Sequence, residues 1–359
     1  MVRESAKNRN EDEMGLVVLA HSDYLIDVAE RRSRGETRVL EKRHLASLKK
    51  GGVSVICDHV GGDTRMFSTF PLEKIGTSCT PLERALYGVD CMLQEAQESS
   101  DEVLIVRDFM DIQQVRESHR LGIVLSLQGG SPIGQDLSLL RTFYRLGIRC
   151  LHLTANLRNQ ISDSCIGRTN GGLTEFGVEV VREMNRLGMV IDIAQLSPAG
   201  CMDVFDSSEQ PVIASNSNAK ALCDHPRNLD DKTIQRLAEG GGVMGIHCLP
   251  AFLSKKPGAT IGNMVEHIKH VTNLVGVDHV AIGPDLLEDW PRDKYDCIWG
   301  SGQSLGSARI EFDYPEGFED ISKIPDLAAL LSRSGYTDKE VDKILGGNLL
   351  RVFKQVWKH

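Results

Sequence analysis

Short apolar segments, each ending in small or polar residues, recur along the chain with amphipathic stretches between them. The apolar segments are rich in Val, Ile and Leu and have the length of buried strands. They read GLVVLAHSD (15–23), VSVICDHV (53–60), IVLSLQGG (123–130), CLHLTAN (150–156), VIDIAQLS (190–197), VIASNSN (212–218), VMGIHCL (243–249) and HVAIGPD (279–285).

The stretches between them have the periodicity of helices, as in FGVEVVREMNRLG (176–188) and DKTIQRLAEGG (231–241). Gly188 and Gly240 follow these stretches and suit helix C-termini. Strands that alternate with helices indicate parallel strands joined by crossover helices, and eight such units predict an α/β fold, a (β/α)8 TIM barrel.

No Pro- or Ser-rich linker and no shift in composition divides the chain. We therefore expect a single barrel domain over residues 1–359, with the polar residues 1–15 as an N-terminal extension outside the barrel. The segments at about 60–80 and 285–320 are long enough to fold over the barrel mouth.

Composition narrows the class of protein. The chain has 359 residues, of which 41% are hydrophobic and 25% charged, as in soluble globular proteins. Its net charge of −9, without a basic stripe, argues against a nucleic-acid partner. The chain shows no apolar signal segment and no apolar run of 18 residues, so we expect a cytoplasmic protein without a membrane partner. Nine widely spaced cysteines without a CxxC pair predict buried thiols rather than disulfides or a zinc ribbon.

Polar side chains follow the predicted strands, and in a TIM barrel the C-terminal strand ends carry the active site. His21 and Asp23 alternate along the first strand, so both can point toward one ion or one substrate atom. Asp285 ends the eighth strand and could act as a general base, or could simply accept hydrogen bonds from loop amides. The other polar residues at these ends are Asp58, His59, Gln128, Asn156, Asp192, Gln195, Asn216 and His247.

Arg227, in the segment DHPRN after the sixth strand, allows two interpretations. Its guanidinium could hold a substrate carboxylate through two parallel hydrogen bonds, or it could pair with Asp224 or Asp230 on the surface.

Several long motifs resemble, in order and spacing, the renal (membrane) dipeptidase family of the amidohydrolase superfamily. They include LAHSDYL, LSLQGGSPI, PVIASNSNAKALCDHPRNLDD, HVAIGPD and the tail GFEDISKIPDLAALLSRSGYTDKEVDKILGGNLLRVF, and the resemblance covers about residues 16–356. It implies a barrel that holds two zinc ions bridged by a carboxylate and a hydroxide, which attacks the peptide bond of a dipeptide. It also implies a homodimer.

When the family's active-site residues are placed on this sequence one by one, only some of them are kept. The family's His-x-Asp pair falls on His21 and Asp23, its acid/base Asp on Asp285 and its substrate-carboxylate Arg on Arg227. The bridging Glu is replaced, as are three active-site histidines, two of them zinc ligands. The residues at these four positions are Gln128, Gln195, Asn216 and Ala155.

Amides lack the negative charge that holds two cations together, so we expect no metal or one divalent metal ion such as zinc, bound by His21 and Asp23, rather than two zinc ions. The favoured hypothesis is an enzyme that acts on a small amino-acid-like or dipeptide-like carboxylate, with Asp285 as its acid/base group. The residues expected to bind this substrate are Arg227, Gln128, Gln195, Asn216, Asn156, His59 and His247.

Two alternatives remain open. A pseudoenzyme would keep the fold and bind a ligand or partner without turnover. A conventional metal-dependent dipeptidase would need a rearranged site. His59 and His247 stand where the family has aromatic residues, and with His21, Asp23 and Asp285 they could surround one ion.

Overall fold

A computed structural model describes residues 15–63, 80–286, 288 and 314–358. One parallel sheet runs through this part of the chain, in the order β1-β2-β4-β5-β6-β7-β8-β9, and β3 pairs with the first residues of β4. β9 lies against β1, which brings the two ends of the sheet together. The strands are Val17–Ser22 (β1), Val53–Gly62 (β2), Val103–Ile105 (β3), Leu121–Gln128 (β4), Ile148–His152 (β5), Val190–Asp192 (β6), Ile213–Ser217 (β7), Val243–Ile246 (β8) and Val280–Ile282 (β9).

This architecture confirms the predicted (β/α)8 barrel. Each of the eight apolar segments overlaps one barrel strand, whereas β3, of three residues, was missed.

Helices connect the strands and cover the outside of the barrel. Several begin at a residue whose side chain accepts a backbone hydrogen bond, such as Thr174 from Gly177 N and Asp230 from Thr233 N. Gly188 ends its helix in the left-handed conformation, as predicted. The α-helices are Leu25–Ser33, Leu45–Lys50, Pro81–Glu98, Phe109–Ser118, Leu137–Leu146, Glu175–Leu187, Pro198–Ser207, Asp231–Glu239, Pro250–Leu253, Ile261–Val275, Ile324–Arg333, Asp338–Asp342 and Asn348–Val356.

Two large clusters of buried apolar residues make up most of the core. The larger lies between the outer face of the sheet and the helices. The smaller fills the barrel interior with residues from the beginnings of the strands, such as Val18, Val55 and Val243, and the C-terminal helix packs Leu349 and Phe353 against them. The polar residues named from the sequence lie at or after the other ends of these strands.

Some expectations fall outside the described residues. The N-terminal extension, apart from Gly15, lies there, as do most of the segments at 60–80 and 285–320 and the cysteines Cys79 and Cys297. Of the described cysteines, Cys165 is half-buried and the other six are buried, and none forms a disulfide. Among the described helices, none combines the length and the apolar character that crossing a bilayer requires.

Candidate active site

The imidazole of His21, at the end of β1, lies at the centre of the polar residues in the barrel mouth. Its Nε2 lies 3.5 Å from Asp23 Oδ2 and 3.4 Å from Asp285 Oδ1. The amide nitrogens of Gln128 and Asn216 each lie 3.3 Å from the same atom. The barrel therefore brings residues from β1, β4, β7 and the segment after β9 around one nitrogen atom.

The charges of this group are strongly coupled. Burial opposes the protonation of His21, but Asp285 and Asp23 raise its pKa to about 10. Burial raises the pKa of Asp23 to about 6, although His21 opposes this shift. For Asp285, burial is outweighed by His21 and His247, which hold its pKa well below the ordinary value. One positive charge thus lies between two carboxylates.

Two residues contact Asp285 in addition to His21. His247 Nε2 lies 3.0 Å from its Oδ2, and Asn216 Nδ2 donates a hydrogen bond of 2.8 Å to the same oxygen. His247 Nδ1 accepts a hydrogen bond from Leu249 N. Since His247 Nδ1 is an acceptor, its Nε2 carries the proton and donates it in a hydrogen bond to Asp285, which stabilises the ionised carboxylate.

Three of the predicted site residues have strained backbones. Asn156, Gln195 and Asp285 have φ angles of 58°, 68° and 59°, in the left-handed region that residues other than glycine rarely adopt. Gln195 Oε1 accepts a hydrogen bond of 2.7 Å from Asn156 N, which ties two of these residues together. Such strain is concentrated at functional sites, because the orientation of a side chain there matters more than the free-energy cost of the strained backbone.

Arg227 lies in the same end of the barrel, and only 4% of its surface is exposed. Its Nη2 donates a long hydrogen bond of 3.4 Å to Asn216 O, and its guanidinium lies 5.2 Å from the ring centre of Phe252. Its Nε has no hydrogen-bond partner among the described residues. The surface alternative is wrong: Asp224 lies near Lys220 and Lys255, and Asp230 caps a helix.

Two further histidines line the site. His59, at the end of β2, is buried, and its Nδ1 donates a hydrogen bond of 3.1 Å to Ser22 O. His152, at the end of β5, was missed from the sequence. Its Nε2 lies 2.7 Å from Ser215 Oγ and 2.5 Å from Asp192 Oδ2. The alternation of side chains along β5 offers the only sequence signal for His152.

Two carboxylates at strand ends form hydrogen bonds within the barrel and hold its segments in place, instead of lining the site. Asp58 accepts hydrogen bonds from Ser22 Oγ, Tyr24 N and Leu25 N, and so fixes the start of the first helix. Asp192 accepts from Ala194 N and Ser215 N and orients His152.

The donor set around His21 can hold one metal ion. His21, Asp23 and Asp285 can each offer one ligand atom, with all three atoms within 4.8 Å of one another. Tetrahedral zinc with bonds of about 2.0–2.2 Å separates its ligand atoms by about 3.3–3.5 Å. The distances from His21 Nε2 to the two carboxylates fall in this range.

Comparison with known proteins identifies the family. A family model described as "Membrane dipeptidase (Peptidase family M19)" matches residues 17–290 and 306–359. The chain belongs to the membrane dipeptidase family. This confirms the resemblance carried by the sequence motifs.

Individual relatives agree with this family. The chain is similar to an uncharacterized dipeptidase of Schizosaccharomyces pombe, with 36% identity over 66% of this chain and 53% of that protein. It is similar to Dipeptidase 3 of Rattus norvegicus, with 33% identity over 67% of this chain and 46% of that protein. The chain thus spans about half the length of the curated relatives it matches.

Solved structures share the barrel fold. An amidohydrolase from Pseudomonas aeruginosa has a TM-score of 0.79 and 24% identity, over 97% of this chain and 98% of that one. A metallo peptidase from Rhodobacter sphaeroides, liganded with a phosphinate mimic of the dipeptide L-Ala-D-Ala, also has a TM-score of 0.79, with 20% identity over 96% of this chain and 100% of that one. Membrane dipeptidase family membership and the barrel fold therefore agree.

Proposed function

We propose that the chain is an enzyme that acts on a small amino-acid-like or dipeptide-like carboxylate, with Asp285 as acid/base group and at most one divalent metal ion in place of a binuclear zinc centre. The observation that carries the proposal is a buried guanidinium, that of Arg227, with an unpartnered Nε at the same barrel end as the Asp285–His247 pair.

Arg227 supports a carboxylate ligand. Burial lowers its pKa, while the charges of Asp285, Asp192 and Asp23 oppose this change, yet no described carboxylate forms an ion pair with it. A buried charge without a direct partner is costly, and a ligand carboxylate would remove that cost through paired, charge-assisted hydrogen bonds. The Rhodobacter sphaeroides relative was solved with a dipeptide mimic, which is a molecule of this class.

Asp285 supports turnover. His21 and His247 hold the pKa of Asp285 low, so this group is a carboxylate at neutral pH, which is the form that a general base must have. His247 Nε2, at 3.0 Å, carries a proton because its Nδ1 accepts from Leu249 N, and it therefore orients and stabilises the Asp285 carboxylate. A metal ion bound beside His21 and Asp23 would supply a Lewis acid for a carbonyl group or lower the pKa of a water molecule.

The amides support the loss of the second zinc position. Gln128 replaces the bridging carboxylate, and Gln195 and Asn216 replace imidazoles. Asn216 donates to Asp285, and Gln195 accepts from Asn156 N, so both amides already have protein partners. Such amides can bind an amide or hydroxyl group of a substrate, but they are weak zinc ligands.

Binding without turnover is the second candidate function, because three neighbouring groups already approach Asp285. The two candidates differ in their response to Asp285→Asn, which keeps the size of the side chain but cannot accept a proton. Amino acids, dipeptides and related carboxylates would be screened against the parent protein by thermal shift, and each hit tested for conversion. In an enzyme, Asp285→Asn abolishes conversion and largely preserves affinity. Binding without any conversion by the parent would support the pseudoenzyme.

Metal analysis of protein purified without chelator tests the remaining part of the proposal. We expect zero or one divalent ion per chain. Two zinc ions per chain would contradict the proposed site and favour a conventional dipeptidase with rearranged ligands. The homodimer and a cytoplasmic location remain predictions from resemblance and composition.

A further inference from the structure

Three buried imidazoles lie against one another at the inner side of the site. The ring centres of His21 and His59 are 4.0 Å apart, those of His59 and His152 are 4.7 Å apart, and those of His21 and His152 are 5.2 Å apart. Each ring is almost completely buried. Burying three polar rings together is costly unless their nitrogens have partners.

One nitrogen of each imidazole is held by a serine, a carbonyl or a carboxylate, and His21 Nε2 also contacts the carboxylates and amides described above. His21 Nδ1 lies 3.2 Å from Ser215 Oγ, His59 Nδ1 donates to Ser22 O, and His152 Nε2 lies beside Ser215 Oγ and Asp192. Metal-binding histidines typically show this arrangement, in which the second nitrogen is fixed by a carbonyl, a hydroxyl or a carboxylate.

The nitrogens on the other side of two rings have no partner. His59 Nε2 and His152 Nδ1 are buried and accept or donate no hydrogen bond among the described residues. One ring nitrogen from each of His21, His59 and His152 can be chosen so that the three atoms lie within 4.8 Å of one another.

We propose that His21, His59 and His152 together bind one divalent transition-metal ion, with zinc as the representative case. Imidazole nitrogen suits zinc, copper, iron and nickel but not magnesium or calcium. A tetrahedral ion requires ligand nitrogens about 3.3 Å apart, whereas these nitrogens lie within 4.8 Å of one another, so the rings need to reorient and bring the nitrogens closer on binding. The proposal deepens the proposed function, which allows one ion, by naming its ligands.

A competing position is the group of His21, Asp23 and Asp285. Both groups use the imidazole of His21, so a single ion occupies one position or the other. Asp285 already has partners in His247 and Asn216. His59 and His152 each have one buried nitrogen without a partner among the described residues, which favours the three-histidine group.

The test is metal binding by full-length protein stripped with chelator and then titrated with Zn²⁺. Loss of a residue that only supports a ligand typically costs 10–100-fold in affinity, so loss of a direct ligand should cost at least about a hundredfold. We expect His59→Asn and His152→Asn each to weaken zinc binding by that amount. His247→Asn is the matched control, because both nitrogens of His247 already have partners, and it should change affinity by less than about tenfold.

Asp285→Asn separates the two positions. If it weakens zinc binding more than His59→Asn and His152→Asn do, the ion lies among the carboxylates and the proposal is overturned. A parent protein that binds no Zn²⁺ at micromolar concentration overturns it as well.

X-ray absorption at the zinc edge of the loaded parent needs no variant and therefore does not depend on how the variants fold. Three coordinated imidazoles support the proposal, and a single imidazole contradicts it. Neither outcome affects the substrate screen with Asp285→Asn, so failure of the metal site and failure of the proposed function are distinguishable.

Discussion

At the scale of single residues, Arg227 is the side chain that most directly suggests a ligand-binding site in the barrel mouth. The sequence allows two interpretations of this residue, and burial excludes the surface ion pair, since only 4% of Arg227 is exposed. Sequence position alone could not give this result, because the loop that carries Arg227 also carries Asp224 and Asp230 as plausible partners.

Replacing Arg227 by Ala should weaken the binding of any carboxylate found in the screen. Losing a charge-assisted hydrogen bond costs about 1.5–3 kcal/mol, or roughly ten- to a hundredfold in affinity. Calorimetry on parent and variant would measure this change. Arg236→Ala is a suitable control, because Arg236 pairs with Asp206 at the surface and should leave affinity unchanged. Equal affinities of parent and Arg227→Ala would place the ligand elsewhere.

His152 could not be identified as a site residue from the sequence. Family motifs directed attention to the residues after the strand, Ala155 and Asn156, whereas the side chain that enters the site is the last residue of the strand itself. His59 and His247 were named as candidates, but the direction of their side chains depends on the pairing register of β2 and β8. That register follows from long-range contacts.

At the scale of elements, the sequence predicted the eight barrel strands and their polar ends because buried parallel strands have a distinctive apolar pattern. It missed β3, whose three residues are too few for a pattern. It also could not foresee that Asn156, Gln195 and Asp285 leave their strands in the left-handed conformation. Only the surrounding contacts impose that conformation.

Gly245 of β8 allows the close approach of β7. A Cβ atom at this position would lie 2.1 Å from Ser215 O, so Gly245→Ala must push the two strands apart. Overpacking of this kind costs about 1–3 kcal/mol, and we expect a lower free energy of unfolding by at least that amount in urea titrations. The strand shift also displaces Ser215 Oγ, which contacts His21 and His152.

Gly240→Ala provides the comparison for this prediction. Gly240 has a φ of −78°, and its nearest atom to an added Cβ is 3.6 Å away. Its substitution should therefore change the free energy of unfolding by less than about 0.5 kcal/mol. Similar losses for both variants would show that Gly245 has no special role.

Asp27 links the helix Leu25–Ser33, in which it lies, to Arg43 and His44 in the next part of the chain. Burial alone would raise its pKa, but hydrogen bonds from His44, Arg31 and Arg43 lower the pKa to about 2. Because the folded-state pKa lies below the ordinary value of about 3.8, this contribution to stability is complete above pH 4 and is lost as the pH falls toward 2. Asp27→Asn should therefore lower stability at pH 7 and flatten its decline between pH 4 and pH 2, as measured by urea unfolding. An unchanged acid profile would mean that Asp27 does not contribute to this decline.

At the scale of the whole molecule, the barrel explains how residues that are far apart in the sequence come together in one site. Gln128 ends β4, Gln195 follows β6 and Asn216 lies near the end of β7, yet parallel strands deliver all three to the same mouth. The same closure brings His59 and His152 beside His21. Side chains from β2, β4, β5 and β7 and from the segment after β6 therefore meet at one site.

Restoring the family's ligands tests this view of the molecule. Gln128→Glu, Gln195→His and Asn216→His together supply a bridging carboxylate and two imidazoles on the frame that already holds His21 and Asp23. We expect the triple variant to bind one more divalent ion per chain than the parent, as measured by metal analysis after dialysis. Gln128→Glu alone is the control, since it restores charge without the two imidazoles and should bind no second ion tightly. Dipeptidase activity need not return, because Ala155 also differs from the family. If the triple variant folds but binds no more metal than the parent, these three positions do not correspond to the family's ligands, and the account of the site as a replaced zinc centre fails.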